Sequence, residues 1–340
     1  MRTRMLGSIE VSEIGMGCMG LSHGYGRIPA EEESVAAIRA AFDAGCTFFD
    51  TAEGYGPNLL PANRGHNERI VGRAAAPFRD EVVLATKLHV PADQVRADGV
   101  AATLRAHLTA SLKRLGTDRV DLYYLHRINP EVPVEDVAGA MGGLIDEGLI
   151  RGWGLSQVGV PTIRAAHGVA PLSAVQNIYS MVERGIEAEV LPYCAEQGIG
   201  VVPFSPIASG LLSGRVTAST RFEKDDDVRN LVPQLQPDNL AANQPLVDML
   251  AAFAAAKGAT SAQISLAWML AKWPHVVPIP GSKRKERILE NLGAADVELT
   301  GAELARLERE LDAVEVHGHR GFDEAEGRGF LTRRPAAHRP

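Results

Sequence analysis

Cysteine is scarce in this chain: Cys18, Cys46 and Cys194 are the only three among 340 residues. They are odd in number and far apart, matching no zinc pattern and no disulfide framework. That fits a reducing compartment and reads as three small buried apolar residues. Long hydrophobic runs are missing too, since none approaches the roughly 18 apolar residues of a membrane span. Arg2 and Arg4 stand near the start, yet no apolar stretch of signal-peptide length follows them. Nor is there a surplus of positive charge. The formal net charge is −7 with acids and bases interleaved, which speaks against a nucleic-acid partner. An anionic ligand would need a local basic cluster, and one lies near residue 283. The expectation is a soluble, cytoplasmic protein without membrane contact.

What is present is a large core and a strong rhythm. Hydrophobic residues make up 45% of the chain, which argues against overall disorder. Length alone suggests two domains, but an α/β barrel of this size is commonly one. Strand-like apolar runs recur near residues 14–19, 46–49, 82–86, 120–125, 150–155, 174–178, 199–204 and 276–279. Between most of them lie amphipathic, alanine-rich stretches that predict helices, at 31–44, 100–115, 134–147, 161–167 and 186–197. Gly45, Gly116, Gly148 and Gly198 stand where helix-ending glycines belong. Eight strands alternating with helices predict a parallel (β/α)8 TIM barrel, a single domain over residues 1–340.

Several segments break the rhythm. Residues 1–12 predict a hairpin, with Gly7-Ser8 as its turn, that closes the barrel base. Loop 57–66 and region 207–260, with a charged loop at 221–230, are long; such loops on the C-terminal face grip substrates. The tail, residues 317–340, lacks strong periodicity and reads as loop or frayed end. Gly15-Met16-Gly17-Cys18-Met19-Gly20 satisfies the G-x-G-x-x-G pattern. A Rossmann site needs a helix to open at once, whereas helical pattern here begins only near Glu31. The glycines are therefore read as easing a tight passage from strand to loop.

Polar residues stand at the carboxyl ends of three apolar runs. Phe48-Phe49 leads to Asp50 and then Tyr55, the run 82–86 ends at Lys87, and the run 120–125 ends at His126. In a barrel those ends share one mouth. Tyrosine, with a reference pKa of about 10, donates its proton more readily beside a cation. Lys87 would favour the phenolate and lower that pKa. Asp50 would hold Lys87 charged and oriented, and His126 could hydrogen-bond the substrate oxygen or help relay the proton. The set can protonate a carbonyl oxygen.

FFDTAEGYG, VVLATK, DLYYLH, GWGLS, AVQNIYS, VVPFSPIASGLLSG and PIPGSKRKERILEN resemble, in order, the motifs of the aldo-keto reductase superfamily. The spacing, with GMGCMGLSHGYG near the start, is most similar to bacterial and fungal members of the pyridoxal-reductase and general aldehyde-reductase type. The likeness runs over about residues 5–313. It implies that Asp50, Tyr55, Lys87 and His126 form the family's catalytic tetrad, with Tyr55 as general acid and no metal. Hydride would come from NADPH bound without a Rossmann fold. The resemblance places Ser156, Gln157 and Gln176 at the nicotinamide carboxamide, Gln157 replacing a usual asparagine. It places Phe204 against the nicotinamide ring, and Ser205, Pro206, Ile207, Ala208, Ser209 and Gly210 along the pyrophosphate. Ile279 and Gly281 follow in the last motif. Ser282, Lys283 and Arg284, with Arg287, supply hydroxyl and cations where a helix starts, which suits a 2′-phosphate and favours NADPH. Glu290 and Asn291 are similar to the family's adenine contacts.

The chain also departs from the pattern. Leu88-His89-Val90 follows Lys87 where many relatives have an aromatic and a glycine. Loop 57–66 carries an insertion before Asn67-Glu68-Arg69 resumes the motif. His66 and His89 read as surface or packing residues. The leading function is NADPH-dependent reduction of an aldehyde or ketone to an alcohol. Three alternatives stay open. One is a cofactor-binding regulatory subunit of the same fold, as potassium-channel β-subunits resemble. Another is an alcohol dehydrogenase working mainly in the oxidative direction. The third is a metal-dependent hydrolase on Asp50 and His126, which needs more ligands than the strand ends supply. The partner is a small carbonyl compound of unread identity, and a homo-oligomer is left open.

Overall fold

The computed structural model describes residues 1–223 and 225–321; Lys224 and 322–340, with that part of the expected tail, lie outside the described residues. The strands are β1 (Thr3–Leu6), β2 (Ile9–Ser12), β3 (Met16–Gly17), β4 (Phe48–Asp50), β5 (Val83–Leu88), β6 (Val120–Leu125), β7 (Ile150–Ser156), β8 (Ala174–Gln176) and β9 (Gly200–Val201). The first helices are α1 (Glu31–Asp43), α2 (His66–Ala75), α3 (Ala92–Asp98), α4 (Val100–Leu115), α5 (Val134–Asp146) and α6 (Val160–Val169). They are followed by α7 (Val190–Glu196), α8 (Pro237–Ala242), α9 (Gln244–Lys257), α10 (Ser261–Lys272), α11 (Lys285–Leu292) and α12 (Gly301–Asp312). Among the described residues no helix is long and apolar enough to cross a membrane.

β3 through β9 pair in parallel and in chain order, each neighbour following the last. The expected eighth strand at 276–279 does not form a regular ladder. Instead single bridges join Val201 to Val276 and Gly17 to Gly281, and these close the barrel. The reason is in the sequence: Pro278 and Pro280 have no N–H to give to β3. Gly15 N and Gly17 N donate to the Pro278 and Pro280 carbonyls at 3.0 and 3.3 Å, with no bond in return from either proline. Close approach here needs glycine, because a Cβ on Gly17 would lie 2.7 Å from the Ile279 carbonyl oxygen. The G-x-G pattern therefore serves this join. No Rossmann helix follows it, and α1 opens only at Glu31.

The helix-ending glycines behave as expected: Gly45, Gly116, Gly148 and Gly198 all have positive φ. The N-terminal hairpin forms as β1 and β2, with Gly7 left-handed in its turn. Leu6, Ile9 and Val11 bury against Phe48, Leu122 and Val202 inside the barrel, so the hairpin plugs its base. A larger core lies between the sheet and the helices. Helices α2, α3, α8, α9, α10 and α12 are not among the stretches that the sequence pattern predicts. α3 has only Ala92 buried, so no apolar stripe betrays it.

Candidate active site

Side chains alternate between the two faces of a strand, and here the alternation sorts the core. Phe49, Leu84, Tyr123 and Leu155 pack outward against helices. Phe48, Val83, Ala85, Leu122, Tyr124, Ala174 and Val202 face the barrel interior. Continued in steps of two, the inner rows reach Asp50, Lys87, His126, Gln176 and Phe204. Parity and parallel pairing together bring five polar or aromatic residues to one mouth.

The contacts there are short. Lys87 Nζ donates to Asp50 Oδ1 in a buried ion pair and to the Thr51 carbonyl at 2.8 Å. It also lies 3.3 Å from Tyr55 Oη, within hydrogen-bond reach. Gln176 Nε2 donates to the other Asp50 oxygen at 2.8 Å, so this carboxylate is held from both sides. Tyr55 is fixed by its backbone: Asn67 N donates to its carbonyl at 3.1 Å. Asn67, fully buried, also ties this loop to β4 and β3 through Thr51 Oγ1, the Cys18 carbonyl and Ser22 Oγ. The His126 ring meets Tyr55 edge-on at 5.6 Å and lies 4.7 Å from His89.

Burial and charge set the protonation states. Burial works against charge on Lys87, but Asp50 and Tyr55 outweigh it and hold its pKa above the ordinary lysine value. Burial, reinforced by Arg127, drives His126 well below the usual histidine pKa, so it is neutral at physiological pH. Burial raises the Tyr55 pKa, and Lys87 offsets only part of that rise. The sequence-based expectation of a lowered tyrosine pKa is thus met by the direction of the lysine's influence and not by the net shift.

A channel of about 450 Å³ leads away from this cluster. Ser156, Gln176 and Phe204 line its inner end, followed by Ser205, Pro206, Ile207, Ser209 and Gly210. Ile279 and Gly281 line it beside Gly17, and Ser282, Lys283, Arg287, Glu290 and Asn291 carry the lining on to α11. Three expected residues do not line it: Ala208 packs into the core beside the loop, and Lys87 and Gln157 are also absent from the wall. Lys87 lies beneath Tyr55 with no exposed surface. Gln157 is buried, and its side-chain oxygen accepts from Ile178 N, which turns the amide away. Lys283 lines the wall but is engaged: its ammonium donates to the Tyr25 and Arg27 carbonyls at 2.6 and 2.7 Å. His66 pairs with Ser22 Oγ at 2.9 Å, whereas His89 is exposed beside His126 and belongs to the mouth.

The wall offers anion-binding chemistry. Ser205, Ala208, Ser209 and Gly210 all have positive φ, and strain of this kind in non-glycine residues concentrates at ligand sites. Arginine and lysine outnumber carboxylates along the channel, and Arg215 pairs with Glu290 at 3.0 Å. This donor set fits a phosphate-rich dinucleotide, with Phe204 as a flat apolar face at the inner end. Tyr25, Arg127 and Arg320 also line the channel and were missed from sequence. Arg127 had a visible signal, since it directly follows His126 at a strand end. Its Nη1 donates to Ser156 Oγ at 2.9 Å, and the guanidinium lies 5.8 Å from the Phe204 ring.

These features agree with known proteins. Residues 13–312 match the family model described as the aldo/keto reductase family. A probable aldo-keto reductase 1 from Glycine max is 35% identical over 318 residues, covering 92% of this chain and 89% of that protein. The structure of a glycerol dehydrogenase from Gluconobacter oxydans superposes with a TM-score of 0.79 at 27% identity, covering 91% of this chain and 94% of that one. An aldo-keto reductase from Klebsiella pneumoniae, solved in complex with NADPH, gives a TM-score of 0.69 at 30% identity, covering 91% and 95%. With its barrel, its mouth of strand-end polar residues and these likenesses, this chain belongs to the aldo/keto reductase family.

Proposed function

We propose that this chain reduces an aldehyde or ketone to the alcohol with NADPH, Tyr55 acting as general acid. Membership of the family makes it an NADP-dependent oxidoreductase. The observation that carries the finer reading is the buried line from Asp50 through Lys87 to Tyr55, which opens where the channel begins. When bound, the reduced nicotinamide supplies the hydride. Phe204 and Ser156 would hold the ring, the loop 205–210 the pyrophosphate, and Arg287 with Ser282 the 2′-phosphate.

The residues of the chain do the rest. His126, neutral, presents a ring nitrogen to the carbonyl oxygen and orients it towards Tyr55. Tyr55 Oη gives its proton to that oxygen as negative charge develops there. Lys87, kept charged by Asp50, stabilises the phenolate left behind. Gln176 keeps the Asp50 carboxylate from rotating away. Because burial raises the Tyr55 pKa, the protonated, reductive form dominates at neutral pH.

Tyr55→Phe tests the assignment. Carbonyl reduction should fall by about 10²- to 10⁴-fold, the usual contribution of a positioned acid, while NADPH binding by fluorescence quenching stays near the wild-type value. Turnover that survives the substitution would remove Tyr55 from the acid role.

A further inference from the structure

We propose that Arg320, carried back to the channel by the segment after α12, holds the cofactor pyrophosphate. The proposal rests on the cofactor reading above.

The segment is built into the fold. His317 exchanges two hydrogen bonds with the Asn243 side chain, each 2.9 Å, and the His319 carbonyl accepts from Gln234 N at 3.3 Å. Arg320 N then donates to Glu183 Oε1. These anchors deliver the Arg320 side chain, only 5% exposed, to the channel wall. Its Nε donates to Ser205 Oγ at 3.3 Å, and it hydrogen-bonds the Tyr25 side chain. The Glu183 carboxylate faces it from the turn at 180–183. Tyr25 in turn reaches across to Ser209 Oγ at 3.4 Å.

Arg320 therefore touches the first residue of the left-handed run and, through Tyr25, its middle. That run lies between Phe204 at one end of the channel and the basic start of α11 at the other. A dinucleotide laid along the channel brings its pyrophosphate there. A guanidinium keeps its charge in a buried site, and its planar fork matches two phosphate oxygens. Lys283 is occupied with main-chain carbonyls, Arg215 with Glu290, Arg229 with Asp227 and Arg127 with Ser156, whereas Arg320 contacts Ser205 at the start of this loop.

The test compares Arg320→Ala, Arg320→Gln and Arg320→Lys with wild type, each checked for folding by its thermal transition. Dissociation constants for NADPH, NADH and 2′-AMP are measured by fluorescence and competition. We expect Arg320→Ala and Arg320→Gln to weaken NADPH and NADH equally, by about ten- to a hundredfold, as loss of a charge-assisted contact would. Arg320→Lys should recover part of that loss, and 2′-AMP should bind all variants alike. A loss confined to NADPH, or shared by 2′-AMP, would place Arg320 at the 2′-phosphate and overturn the proposal. Unchanged cofactor binding with a raised KM for the carbonyl would assign it to the substrate and also overturn it. Wild-type protein that binds neither nucleotide would instead refute the cofactor reading itself.

Discussion

Lys87 carries the densest set of consequences at the scale of single residues. It is fully buried, and its ammonium is shared by Asp50, the Thr51 carbonyl and Tyr55. Removing one partner of a buried ion pair leaves the other charge uncompensated, a loss of about 3–5 kcal/mol. Lys87→Met should therefore lower the thermal transition markedly as well as abolish reduction, whereas Tyr55→Phe should cost activity with little stability. A melting curve for each variant decides this, and equal stability in the two would mean Asp50 needs no ammonium beside it. Much of this cluster was legible in sequence because side chains alternate along a strand. Asp50, Lys87 and His126 stand in phase with inward Phe48, Ala85 and Tyr124, and one-dimensional spacing records phase. Arg320 was not legible, because its place depends on a chain return from residue 320 to residue 205. Gln157 lies one residue past inward Ser156 and two past outward Leu155, so the alternation itself puts it off the inner row, where its amide oxygen accepts from Ile178 N.

At the scale of elements, the hairpin of β1 and β2 acts as the floor of the barrel. Leu6 and Ile9 are buried at the end remote from Tyr55 and pack on the inner rows of the strands. Leu6→Ala should destabilise the fold by about 2–5 kcal/mol while leaving the cofactor dissociation constant unchanged. Denaturant titration and fluorescence quenching measure the two separately, and a matching loss of NADPH affinity would show that the floor and the mouth are coupled. Elements whose sequence carried both a pattern and a stop were read well: α4 and α5 end at Gly116 and just before Gly148. Short polar helices such as α3, and the eighth strand interrupted by prolines, carry no such pattern. Their positions are decided by neighbours.

The whole molecule responds to pH through its histidines. Burial lowers the pKa of His126 well below the ordinary value. His89, although partly open to solvent, is lowered to about 4 by lost hydration and the nearby Arg127 charge. His275 and His66 are lowered too, mainly by burial. The folded chain thus holds these rings neutral while the unfolded chain binds protons below about pH 6.5. More protons bound in the unfolded state means that acid favours unfolding. Stability should be full above pH 6.5 and fall as the pH drops towards about 4, and His89→Gln should flatten part of that slope. Thermal transitions across the range test this, and a flat profile between those limits would contradict the assigned shifts.

The join between β3 and the segment 276–281 bears on how such a barrel comes apart. The junctions from β3 through β9 are laced by strand ladders, and on the β9 side Val201 exchanges bonds with His275 and Val277, whereas on this one line the two prolines withhold half the stitches. Gly17, Ile279 and Gly281, from both lips of the join, also form one wall of the channel. A molecule lying along that wall spans the least secured line of the cylinder. Its grip would then act as a clasp on the closed form, linking the life of the folded barrel to the occupancy of its channel.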